Sequence, residues 1–434
     1  MKSFYTILIL LIPFVGFGQG WEKTFGGIEE DYGQHVKQTT DGGYIITGLT
    51  ESFGNGVRDV YLIKTDENGN EQWTKTFGGT DIDRGYSVQQ TNDGGYVITG
   101  YTYSFDLSNG DVYLIKTDEN GNEQWTKTFG GIEEDYGRHV KQTTAGGYII
   151  TGYTRSFGNG QNDVYLIKTD ENGDEEWSQI LGGTYVDLGF SVQQTTDDGY
   201  IITGYTESFG NGEQDIHLIK TDVSGNEQWT KTFGGTGYDT GESVQQTTDG
   251  GYIITGVTNS FGDPLGDIYL IKTDDNGNEQ WSQTYGGIEV DMGSYVKQTN
   301  DNGYIILGNT ESFGSGKLDF YLVKTDENGN YEWSQTYGGN EDDWGYSLDI
   351  TSDGGFILCG VTESFGNNIQ GDIFLIKTDD QGNITSTFEI PLPKPNRKLE
   401  KTINLKGQEI KHQTGQPVVK IYDDGTVEKK LIIE

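Results

Sequence analysis

A tryptophan recurs every 52 residues without a slip, at Trp21, Trp73, Trp125, Trp177, Trp229, Trp281 and Trp333. An aspartate keeps the same step, and so does a Ser-Phe pair running from Ser52-Phe53 to Ser364-Phe365. Seven copies are present, and the last gains one residue near Gln370. Self-similarity at this period restricts the chain to a propeller, a solenoid or an array.

The composition of one copy decides between these. Tyr86–Thr91, Tyr96–Tyr101, Asp111–Thr117 and Asn122–Phe129 are β-branched or aromatic runs. They are bounded by Asp93-Gly94-Gly95, a loop from Ser104 to Gly110, and Asn120-Gly121. Runs of this length between Asp-Gly and Asn-Gly turns read as strands joined by hairpins, and no segment carries a helical apolar period. Four antiparallel strands per repeat make a propeller blade. The expected fold is therefore all-β: a seven-bladed propeller of four-stranded antiparallel blades over residues 19–385, with a short β tail after it. A ring has no exposed end blade. Trp21–Phe25 is expected to supply the fourth strand of the last blade, with Asn383–Phe388 as the competitor.

The flanks differ from the repeats. Residues 1–18 read as a signal peptide, with Lys2 ahead of an apolar run from Phe4 to Phe17 and small residues at Gly16 and Gly18. That run is too short to span a bilayer, and no later segment could. Pro391, Pro393 and Pro395 mark a linker over 386–400. Residues 401–434 form a separate tail, either a β-hairpin appendage or a sorting signal.

Leu62-Ile63-Lys64-Thr65-Asp66-Glu67-Asn68-Gly69-Asn70-Glu71-Gln72-Trp73 resembles the Asp…Gly…Trp docking motif of quinoprotein-type blades, in which the Trp packs between neighbouring blades. The whole repeat, including Asp41–Gly48, is similar to propeller repeats of exported bacterial proteins. Asn404–Glu409 and Ile421–Glu434 resemble the C-terminal sorting domains of the Bacteroidetes type IX secretion system. That resemblance implies passage across the outer membrane through the secretion machinery, followed by removal or attachment of the tail.

Charge limits the partners. The net charge is −38, and the tail from Ser386 carries 9 basic and 7 acidic residues, so the excess lies in the repeats. Such a surface repels nucleic acid and anionic lipid. The sole cysteine, Cys359, leaves no intrachain disulfide. It falls in a predicted strand where other copies carry Thr, and reads as a buried small residue.

No catalytic constellation stands out. There is no Gly-x-Ser-x-Gly, His-Glu-x-x-His or phosphate loop among the residues. His35 and His139 occupy one repeat position in copies one and three and read as exposed strand residues; His217 replaces a Tyr on the third strand. The recurrent Asp66-Glu67-Asn68-Gly69-Asn70 lacks the distal Glu of a calcium loop and reads as a hairpin turn. No cofactor is expected.

In an up-and-down blade the first and third turns share one face, and here they are nearly uniform. The second loops and the blade-to-blade crossings share the other face and carry most of the differences. Ligand candidates on that face are the crossing aspartates Asp31, Asp83, Asp135, Asp187, Asp239, Asp291 and Asp343, with Tyr185, Tyr238 and Arg58. The aspartates are expected to ring the axis there. They either hold a divalent cation or cationic group, or each caps its own Asp-x-Gly turn. The functional expectation is a secreted or surface-bound monomer that binds glycan or protein without catalysis. A purely structural protein is the alternative, and an exported polysaccharide-active enzyme is a third reading.

Overall fold

The computed structural model describes residues 20–105, 109–366, 370–384, 398–404, 417–422 and 427–431. The signal-peptide and most of the linker assignments lie outside these residues. The chain divides into two compact units, with the division in sequence after residue 385.

The first unit is a seven-bladed propeller. Its first blade pairs β2 (Asp31–Gln38), β3 (Tyr44–Thr50), β4 (Asp59–Thr65) and β5 (Glu71–Phe77) in that order, all antiparallel. The pattern repeats through six blades. The seventh takes β26 (Asp343–Ile350), β27 (Phe356–Thr362) and β28 (Asp372–Thr378), and is completed by β1 (Trp21–Phe25). Trp21 pairs with Lys377 and Phe25 with Ile373, so the N-terminal strand closes the ring as the sequence suggests. The second unit is a three-stranded antiparallel sheet of β29 (Leu399–Asn404), β30 (Pro417–Tyr422) and β31 (Val427–Leu431).

The core lies between blades. Ile45, Val60, Leu62 and Phe77 of the first blade pack against Val88, Tyr96, Ile98 and Tyr113 of the second. Ile46, one residue on and therefore on the opposite sheet face, packs into the preceding seam with Ile357 and Leu375. Both faces of the middle strands are thus buried, which is why β3 and β4 are apolar beyond simple alternation. Each fully buried side chain of this kind contributes about 1.5–3 kcal/mol.

Each tryptophan caps a seam. Trp21 stands against Tyr44 of the next blade with ring centroids 5.7 Å apart. It also covers Gly69, where a Cβ would lie 2.5 Å from the indole and φ is +73°. Only glycine satisfies both the left-handed turn and the close approach. Asp66 fixes that turn by accepting the N–H groups of Asn68 and Asn70 at 2.9 and 2.8 Å, the hairpin role read from the sequence.

Candidate functional site

The first strand of each blade adjoins the first strands of both neighbours, so these seven strands line the axis. Every one of them carries a bulge. In β2, Gly33 pairs with Gly48 and His35 with Thr47, leaving Gln34 as the extra residue. The same irregularity recurs in the other six blades. A bulge unpairs one residue and re-aims its side chain.

Those seven bulge residues are Gln34, Tyr86, Arg138, Phe190, Glu242, Ser294 and Tyr346, and all seven line one axial cavity of about 340 Å³. Their identities differ in nearly every blade, whereas the flanking glycines are constant. The strands start at the crossings, so this cavity lies toward the diversified face. Arg84, Asn309 and Trp344 complete its upper wall.

Two arginines and one carboxylate set the charge. Arg138 is sandwiched between Tyr86 and Phe190, 4.2 and 5.0 Å from the ring centroids, and Arg84 lies 4.8 Å from Tyr86. Burial pushes the Glu242 carboxyl up, against the pull of Arg138. Among the described residues neither arginine has a carboxylate within ion-pair distance. Gln34 Nε2, Arg84 Nε and His139 Nε2 are buried without a hydrogen-bond partner. Unpartnered buried donors are costly, and all three residues border this cavity.

An aromatic surface continues outward over blades two and three. Tyr101 lies 5.8 Å from Tyr86 and 4.4 Å from Tyr136, and Tyr136 is 5.0 Å from Tyr153. Tyr103 and Tyr136 share a hydroxyl hydrogen bond of 2.5 Å.

The floor is made by His35, His139 and Tyr295. His35 lies 5.8 Å from each of the other two rings. Both histidines are buried rather than exposed, at 3 % and 7 %. The exposed-strand reading therefore fails, because this repeat position faces the narrow axis. Burial holds both imidazoles well below their ordinary pKa. His217 is buried in a seam instead, with Nε2 2.8 Å from Thr230 Oγ1 and its pKa lowered by burial to about 4.

The sequence-derived candidates are placed elsewhere. The seven crossing aspartates are fully buried, and none lines the axial cavity. Asp31 Oδ2 accepts from Gly27 N and Ser52 Oγ, both at 2.7 Å. Asp83, Asp135, Asp187, Asp239 and Asp291 repeat both contacts, and Asp343 accepts from Gly339 N. They cap the crossings instead of ringing the axis. Each lies beside a second aspartate at the start of the third strand, as Asp59 lies beside Asp83. No cluster of three or more metal-ligating side chains occurs among the described residues. Arg58 is committed to Glu51 and Glu30 at 2.6 and 3.2 Å. Tyr185 and Tyr238 are exposed on separate crossings. Aligning the seven copies shows two diversified columns flanking an invariant glycine, as in Arg84-Gly85-Tyr86, and the bulge residues are the second of them.

No family model matches this chain. A curated protein, the regulatory protein FlaEY of Caulobacter vibrioides, is 26% identical over 187 residues, covering 39% of this chain and 18% of its own length. The chain therefore corresponds to less than a fifth of that relative. Similar solved structures include a protein of unknown function from Bacteroides caccae, with TM-score 0.39, 14% identity, and 60% of this chain and 86% of that one covered. Others are the Pan2 WD40 domain of Neurospora crassa, with TM-score 0.48, 10% identity and coverage of 81% and 90%, and Sqt1 from Chaetomium thermophilum, with 0.48, 12%, 95% and 98%. Among the described residues no helix is long and apolar enough to cross a membrane.

Proposed function

We propose that the propeller is a non-enzymatic binding module that takes the end of a glycan into its axial cavity. The observation that carries this reading is the convergence of seven diversified bulge residues on one cavity, within a scaffold that otherwise repeats. Its volume falls in the range of small-ligand sites. Trp344 and Tyr346 add aromatic surface for the apolar faces of a sugar, while the Tyr86 and Phe190 rings hold Arg138 between them. Gln34 and Arg84, each with an unpartnered buried N–H, offer planar polar groups to its hydroxyls, and the tyrosines of blades two and three extend that surface outward. Glu242 is the one carboxylate among the described lining residues. Glycoside hydrolysis ordinarily calls for two, so the arrangement favours binding.

The leader and tail resemblances support export and display at the cell surface or release into the medium. Sequencing the mature N-terminus of the native protein would test the leader.

The function is tested by screening the full chain against a glycan array, followed by titration of the best ligand into wild type and Trp344→Ala. The reading expects specific binding that weakens at least about tenfold in the variant, since losing one desolvated aromatic contact typically costs more than 1 kcal/mol. Silence across the array, or an unchanged affinity in the variant, would overturn it.

A further inference from the structure

Below the bulge ring the axis changes character. Two residues beyond each bulge-adjacent position the copies carry Lys37, Gln89, Lys141, Gln193, Gln245, Lys297 and Asp349. The lysines occur only in copies one, three and six, the same copies that carry the rings of His35, His139 and Tyr295. The remaining copies pair Ser87 with Gln89, Ser191 with Gln193, Ser243 with Gln245 and Ser347 with Asp349.

The Ser and Gln pairs have a structural task. Ser87 Oγ accepts the Val140 N–H of the next blade at 3.3 Å, and Gln89 Oε1 accepts the Gln142 N–H at 3.0 Å. His139 keeps the first stitch, its Nδ1 accepting Val192 N–H at 3.0 Å. A lysine ammonium only donates, so copies one, three and six give up the second. Stability of the ring alone does not account for three lysines at this position.

Their surroundings point to a ligand. Asp349 is shared by Lys37, at 3.5 Å, and Lys297. Lys141 has no carboxylate within ion-pair distance among the described residues, and burial with the like charges of Lys37 and Lys297 holds its pKa well below the ordinary value. Three lysines against one aspartate leave the throat with an excess of cationic side chains, and a bound anion would relieve the mutual repulsion that depresses Lys141. Because His139 Nδ1 is an acceptor, its proton is assigned to Nε2, a donor buried without a partner. Lys37, His139, Lys141, Tyr295 and Lys297 border a chamber of about 80 Å³. The rings of His139 and Tyr295 line both this chamber and the upper cavity, and so stand between them.

We propose that this throat is a second site, which binds a free tetrahedral oxyanion of the size of phosphate or sulfate. Lys37, Lys141 and Lys297 supply the charge and His139 Nε2–H a directed donor, an arrangement of charge-assisted hydrogen bonds. The chamber is too small for a sugar, and the ring layer keeps an anionic group on a glycan in the upper cavity from reaching it. The inference does not rest on the glycan reading.

The test is isothermal titration of sodium phosphate and, separately, sodium sulfate into the full chain at constant ionic strength, with chloride as the reference. His139→Ser/Lys141→Gln reproduces the Ser-Val-Gln of blades two, four and five, keeping the first stitch and supplying the second. Lys297→Gln is the second variant and leaves Asp349 with Lys37. Wild type is expected to bind at least one of the two anions above the chloride background, and each folded variant to bind at least about tenfold more weakly. Phosphate alone or sulfate alone identifies the natural class. Absence of binding of both anions to wild type, or unchanged affinity in both variants, overturns the proposal.

Discussion

Ser352 donates its backbone N–H to the side-chain oxygen of Gln38 at 2.8 Å, joining residues 314 positions apart. The contact reproduces Thr40 N–H to Gln90 and Asn92 N–H to Gln142, each 2.9 Å, between blades that follow one another in the chain. The seam that closes the ring therefore keeps this contact of the internal seams, although Asp349 accepts the Gln38 N–H where Gln89 accepts that of Gln142. It is also distinguished covalently: its outer strand is β1, supplied from the other end of the unit.

Closure through β1 makes the first strand a point of failure. Trp21→Ala removes the ring over Gly69 and Tyr44 and is expected to cost about 3 kcal/mol. Trp73→Ala costs a similar amount at an internal seam, but there the strand stays tethered on both sides. Deleting residues 20–25 exposes the edge of β28 and is expected to give concentration-dependent association. Chemical denaturation and light scattering read the two effects, and a deletion protein that remains monomeric with wild-type stability would refute the clasp.

Blade three has exchanged one ion pair for another. In the first blade the buried Lys64 bonds Asp41 of the first turn at 2.9 Å. Blade three has Ala145 at the Asp position, and Lys168 instead reaches Glu176 at 2.9 Å, where the first blade has Gln72. Glu176→Gln should destabilise by about 1 kcal/mol, a value kept small because the carboxylate is half exposed. Ala145→Asp in that background should restore most of it. A double-mutant cycle with no coupling would show that the two acids do not serve the same lysine.

Acid should weaken the propeller before its carboxylates titrate. His35, His139 and His217 have folded pKa values depressed by burial, while the unfolded value is about 6.5. Below pH 6.5 the unfolded chain takes up protons that the folded one refuses, so stability is full above that pH and falls beneath it. Each histidine contributes a slope approaching about 1.4 kcal/mol per pH unit. Lys141, also depressed by burial, acts in the same direction at higher pH. The urea midpoint should drop between pH 7.5 and 5.5, and His35→Ser/His139→Ser should flatten the fall. An equally steep fall in that variant would place the acid sensitivity elsewhere.

Cys359 reports unfolding. It is fully buried, in register with Ser347, and burial pushes its thiol up. A thiol reagent should therefore label the native chain no faster than the seam opens. Rapid labelling without denaturant would contradict the packing of blade seven.

The ring, its closure and the hairpin turns were legible because each repeats: strand-forming runs, Asp-Gly and Asn-Gly turns and the Trp column specify a blade seven times over. The aspartates were legible as a column but not as an environment. Their identity fits a turn cap better than a cation site, and the structure adds the Ser52 hydroxyl and Gly27 N–H bonded to Asp31. The axial cavity was the least legible part. A one-residue bulge reverses which side of a strand a side chain occupies, and strand alternation alone does not reveal it. His35 and His139 were misplaced for the same reason, since nothing local says that their strand is the innermost.

The central claim is that the bulge ring, not the outer loops, is where the propeller binds. It is tested most directly by measuring glycan affinity in two paired variants of the full chain. Tyr86→Ala/Tyr346→Ala alters the axial cavity, and Tyr185→Ala/Tyr238→Ala removes the exposed rings of the crossings. The account predicts at least about a tenfold loss in the first and affinity within about twofold of wild type in the second, where exposed contacts add little. Loss in the crossing variant with full affinity in the cavity variant would contradict it.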